Sequence, residues 1–141
     1  MIDFIQRLPI DIVLRIIPYT YGIQDKTLLR DIANYKETRT LLLGLYHTFW
    51  KIQMQEEGDE DKNWLINDIM GYANNHKATM YGYVDTFYNI FKRNVFLRST
   101  NEIDKYVFNL DKKEVSSQIN IILGLLTIEE RKDFVNTLPI M

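Results

Sequence analysis

Asp59-x-Asp61-x-Asn63 has the oxygen-ligand spacing that opens a calcium-binding loop. Such a loop needs glycine at its sixth position for a sharp turn and a bidentate glutamate at its twelfth. This chain has Trp64 and Met70 there. The acidic run Glu56 to Asp61 is therefore read as a solvated turn that caps a helix. The two histidines, His47 and His76, belong to no His-x-x-x-His pair and accompany no Gly-x-Ser-x-Gly elbow. They are read as structural. Cysteine is absent, which excludes disulfides, thiolate metal sites and cysteine nucleophiles. The six glycines form no phosphate-cradling loop. Lys92, Arg93 and Arg98 lie among Tyr88, Phe91 and Phe96, a mixture that can hold single-stranded nucleic acid by stacking and phosphate contact. The aromatics fall at helical spacing and the net charge is −2, so they are read as a core stripe with charges on its far side.

What survives is aromatic surface. Nine Tyr, seven Phe and two Trp are many for 141 residues; some can cover helix ends within the fold. Tyr and Trp anchor interfaces because each buries much area for little lost entropy. Tyr19, Tyr21, Tyr81 and Tyr83 fall on expected loops, which makes them candidate partner contacts.

The elements that must position these residues read as helix throughout. Pro9 suits a first helical turn, and Pro18 ends the element by disfavouring helical geometry at Ile17. This short helix carries Ile12, Val13, Ile16 and Ile17 and needs a surface to pack against. A helix after Asp25 carries Leu28, Leu29, Ile32 and Ala33. Another, over about Glu37 to Gln55, carries the stripe Leu41, Leu42, Leu45, Tyr46, Phe49 and Trp50. Trp64, Leu65, Ile69, Tyr72 and Ala73 mark a further helix stopped by Asn74-Asn75, and Val84, Phe87, Tyr88 and Phe91 the next. Met80-Tyr81-Gly82-Tyr83 lies between them as an aromatic loop. Ser99-x-x-Glu102, Asp111-x-x-Glu114 and Thr127-x-x-Glu130 have the capping-box pattern. The last two precede the apolar runs Val115, Ile119, Ile122, Leu123 and Ile128, Phe134, Val135, Leu138. Gly124 is placed at a helix C-terminus, and Pro139 closes the last helix. The expectation is an all-α, compact single-domain bundle over residues 1–141, with about six to eight mostly short helices.

Leu8-Pro9-x-Asp11-Ile12-Val13-x-x-Ile16-Ile17, Leu28-Leu29-Arg30 and Tyr35-Lys36-x-x-Arg39 resemble an F-box, within residues 8–46. In that family a Leu-Pro opens a short helix of a module that docks on an adaptor subunit of ubiquitin ligases. Ile17-Pro18-Tyr19-Thr20-Tyr21, Leu28 to Ile32, Trp64-Leu65-x-Asn67-Asp68-Ile69 and Met80 to Tyr83 look like phrases in small helical proteins of large (giant) DNA viruses. Heavy use of Ile, Asn, Lys and Tyr agrees with an AT-rich source.

These readings point to a non-enzymatic protein that works by binding other proteins. Its expected form is a small structural component of a virion, of minor-capsid type, wedged between capsid subunits. The alternative is an F-box-like adaptor recruiting host ubiquitin-ligase machinery. Candidate partner-binding residues are Pro9, Ile12, Val13, Ile16, Ile17, Tyr19, Tyr21, Tyr81 and Tyr83. No catalytic residue, cofactor, metal or nucleic acid is expected. The longest apolar run, Ile121 to Leu126, is too short to span a bilayer, so no membrane insertion is expected. Asp3, Arg7 and Asp11 interrupt any signal-peptide core. The expected location is the virion or the host cytoplasm, with no secretion.

Overall fold

The computed structural model describes residues 26–138. The chain divides into two units, Met1–Ala33 and Asn34–Met141, and residues 26–33 alone are described in the first. The described residues are all-helical, as expected, with no strand among them. In chain order they are α1 (Lys26–Tyr46), a π-helical segment (His47–Gln53), α2 (Glu60–Ala73), a 3-10 turn (Thr79–Tyr81), α3 (Asp85–Phe91), α4 (Thr100–Leu110), α5 (Val115–Leu125) and α6 (Ile128–Thr137).

α1 joins what the sequence reading separated into two helices. Between Ala33 and Glu37 stand Asn34, Tyr35 and Lys36, none of which breaks a helix as Gly or Pro does. Thr38, Leu42 and Tyr46 are buried at four-residue spacing and form its inward stripe within the second unit. Leu41, assigned to the apolar stripe, sits one position off that line and stays 47% exposed. Leu28, Leu29 and Ile32 are exposed too. The helix then widens over His47–Gln53, where Met54 N–H donates to the Phe49 carbonyl at 3.0 Å. Gln55 and Gly58 take left-handed angles (φ 56° and 67°) and reverse the chain into α2.

α2 runs through the centre of the second unit. Leu65, Ile69 and Ala73 are fully buried at four-residue spacing. Its main partner is α5, which contributes Ile119, Ile122 and Leu123. Phe87, Ile90 and Phe91 of α3, Ile103, Val107 and Leu110 of α4, and Phe134 of α6 complete one core. Each inward Leu or Phe removed from water in this way contributes about 1.5–3 kcal/mol.

The capping signals divide. Thr127 and Glu130 form a complete reciprocal box at the start of α6. Ser99 Oγ accepts from Glu102 N–H at the start of α4. Asp111 does not cap α5: it closes α4, and α5 begins after Glu114 without a side-chain cap. Gly124 lies inside α5, whose C-cap is Leu126. The expected stop at Pro139 lies outside the described residues.

Polar clasps tie the helices around this core. Tyr46 Oη donates to Asp68 (2.5 Å), linking α1 to α2. Tyr72 donates to Asp133 (2.8 Å), linking α2 to α6, and Tyr88 to Asp104 (2.8 Å), linking α3 to α4. Arg131 is 1% exposed; its Nε donates to the Leu123 carbonyl and its Nη1 to Asn34 Oδ1, with the Tyr35 ring 5.6 Å away. Arg93 forms a forked pair with Glu130 (2.5 and 3.1 Å).

Candidate protein-docking site

Asn74 is the hinge pin of the site. It follows α2 as its C-cap and is completely buried. A buried amide is costly unless its donors and acceptor are matched. Here Nδ2 donates to the Lys77 carbonyl and to the Gly82 carbonyl, both at 3.0 Å, while Oδ1 accepts from Val84 N–H at 2.8 Å. One side chain therefore fixes both ends of the loop 77–84. Asn75 and His76 take left-handed angles (φ 57° and 62°) to turn the chain away from α2. Gly82 (φ 111°) completes the reversal in a region closed to most side chains.

The held loop presents a knuckle. Met80 and Tyr81, on the 3-10 turn, are 81% and 87% exposed. Tyr83, two residues on, turns back: its ring stacks on Phe87 with centroids 4.1 Å apart and planes within 5°. The loop is thus clamped by an amide on its backbone and by an aromatic stack on its C-terminal end. A groove of about 570 Å³ runs beside the knuckle between α2 and α4, lined by Met70, Met80, Tyr83, Asp104, Phe108 and Asp111 among others. Phe108 is 67% exposed on its rim.

Electrostatics along this wall follow from its carboxylates. The Tyr88 phenol is pushed up to about 12, chiefly by its hydrogen bond to Asp104. Burial raises the Tyr83 phenol, and the nearby Asp104 and Asp111 carboxylates raise it further.

The calcium-like spacing and the basic–aromatic segment each depart in one residue from the sequence reading. Asp61 leaves the expected solvated turn; it lies buried in the first turn of α2, 3.8 Å from His47 Nδ1. Asp59 and Asn63 flank it on the helix start, and among the described residues no cluster of three His, Asp or Glu side chains is arranged to hold a metal ion. The basic–aromatic segment is mixed: Phe91 is core, whereas Phe96 is 83% exposed, contrary to the core-stripe reading. The reason is that α3 ends at Phe91, so Phe96 falls on a turn where Asn94 Oδ1 accepts its N–H.

Of the candidate partner-binding residues, Tyr81 and Tyr83 both belong to this site, one outward and one stacked inward. Pro9, Ile12, Val13, Ile16, Ile17, Tyr19 and Tyr21 lie outside the described residues. Sequence reasoning missed Asn74, Phe108 and the two groove carboxylates. Phe108 had a signal: it falls one position off the buried line Ile103, Val107, Leu110 of α4.

Compared with known proteins, the chain matches no family model, no curated protein and no solved structure. Among the described residues, no helix is long and apolar enough to cross a membrane.

Proposed function

We propose that this chain is a non-enzymatic protein-binding module whose concrete role is that of a small structural component of a large DNA virus particle. The observation that carries the binding role is the Met80–Tyr81 knuckle, exposed on a loop that a fully buried asparagine pins at three points. Large apolar side chains on the surface cost solubility, and a loop held rigid around them has already lost the entropy that binding would otherwise remove. Both features favour a permanent seat against a neighbour. The virion assignment is supported by the phrases around Tyr19, Trp64 and Tyr81 that resemble small proteins of that virus group.

Replacing Tyr81 by the photo-reactive benzoylphenylalanine in the native source tests the reading. Irradiation of purified particles is expected to link position 81 to another particle protein. Absence of the chain from purified particles would refute the virion role. Absence of any cross-linked protein would refute the docking role. Linkage to a ubiquitin-ligase adaptor in infected cells would favour the F-box-like alternative instead.

A further inference from the structure

The groove beside the knuckle specifies the chemistry of what it binds. Asp104, Phe108 and Asp111 stand at positions i, i+4 and i+7 along α4, so they share one face. Asp111 keeps helical angles (φ −61°, ψ −18°), which carries the face one residue past the helix. Seven residues at about 1.5 Å each place the two acidic positions roughly 10 Å apart, with Phe108 between them.

All three line the groove, and both charged residues in its lining are carboxylates. Asp104 accepts from Tyr88 through Oδ1, which leaves its second oxygen for another donor. Asp111 accepts no side-chain hydrogen bond on its carboxylate among the described residues. Tyr83 lines the same groove; burial is the main cause of its raised phenol, and Asp104 and Asp111 add to it. Lys112 Nζ already sits 4.6 Å from the Phe108 centroid, so this ring faces a cation within its own chain. Met70 and Met80 add flexible thioether walls that adapt to an incoming apolar side chain.

We propose that this groove seats an amphipathic helix of a partner protein carrying two basic side chains two turns apart, with apolar residues between them. The lysine or arginine heads meet Asp104 and Asp111, their stems lie along Tyr83, and the intervening apolar pair covers Phe108 and Met80. An acidic helix is repelled by the same two carboxylates. This assignment rests on the docking reading above and adds the register and charge of the occupant.

The test uses the full chain and a fluorescein-labelled helical peptide with lysines at i and i+7 and leucines at i+3 and i+4. One control replaces both lysines by glutamate. A second moves the later lysine to i+5, about 140° from the first around the helix. The i, i+7 lysine peptide is expected to bind about tenfold or more tightly than either control, and to weaken as salt rises. D104N/D111N keeps the acceptor for Tyr88 and is expected to weaken binding roughly tenfold. Phe108→Ala, at an exposed position, is expected to weaken it by a similar factor with an unchanged melting curve. Failure of the lysine peptide to bind, equal binding of either control, or undiminished binding to D104N/D111N would overturn the assignment. The two readings separate cleanly. If position 81 still cross-links to a particle protein while the lysine peptide fails, docking stands and the groove's occupant is wrongly assigned.

Discussion

Asn74 concentrates more structural consequence than any other single side chain of the candidate site. Its three bonds serve the loop backbone, so removing it strands two carbonyls and one N–H. Asn74→Ala is expected to cost about 2–4 kcal/mol, read as a lower denaturant midpoint. In the same variant, amide exchange should speed up across residues 77–84. The sequence marks Asn74-Asn75 as a helix stop, and that reading holds, since α2 ends at Ala73. What the pattern could not carry is that the same amide reaches eight residues forward to Gly82. A helix stop and a loop clamp use the same residue type, and only the fold's path distinguishes them. Tyr88 illustrates a second residue-scale effect. Its folded-state pKa of about 12 lies above the ordinary 10.0, so the folded protein keeps the proton longer than the unfolded chain. The stability gained is complete below pH 10 and is lost as pH rises through 12. Tyr88→Phe is expected to make the alkaline loss of stability shallower over that window, with the raised Tyr46 and Tyr72 phenols supplying the rest, measured by denaturant unfolding at successive pH values.

Among the elements, α6 was the most legible. Thr127-x-x-Glu130 is a reciprocal chemical device, and the folded chain uses both halves of it. Thr127→Ala is expected to destabilise by about 1 kcal/mol, whereas Asp111→Ala, whose side chain caps nothing, should stay within about 0.5 kcal/mol by the same thermal or urea measurement. Asp111-x-x-Glu114 has the same pattern without the device, because α4 continues to Leu110 and leaves Asp111 as its end. Among the described residues, helical segments were read well from apolar period, while boundaries were not, since α1 was read as two helices. The π-helical stretch after Tyr46 has no compositional mark at all. Phe96 and Leu41 show the limit of periodicity from the other side, since each continues an apolar spacing but falls on a turn or one step off the buried line. Period identifies which face a helix could bury, and the neighbouring helices decide which positions they cover.

Across the whole second unit, stability rests on one apolar core fenced by ion and tyrosine clasps between helices. The Arg93–Glu130 fork contributes to stability on the acid side. The Arg93 guanidinium holds the Glu130 carboxyl below its ordinary 4.5, with the Thr127 N–H adding to this and partial burial opposing it. The folded protein therefore loses this contribution as pH falls below 4.5, after holding it fully above that value. Glu130→Gln keeps an acceptor for Thr127 and should make acid unfolding less steep between neutral pH and pH 3, measured by circular dichroism. The all-α class was evident from the absence of alternating strands and Asn-Gly turns. The groove was not, because it needs α2 and α4 to face each other across a gap, and that placement comes from long-range packing.

One consequence follows from the corner where the π-helical segment meets α2. Trp50 and Trp64 stack there with ring centroids 4.7 Å apart and planes within 3°, and they are the only tryptophans in the chain. Each stacked indole is the other's environment, so the molecule carries an optical reporter of its own. The tryptophan fluorescence emission should shift when this corner opens and the two rings part. A spectroscopist can thus watch one joint of the protein without attaching a dye.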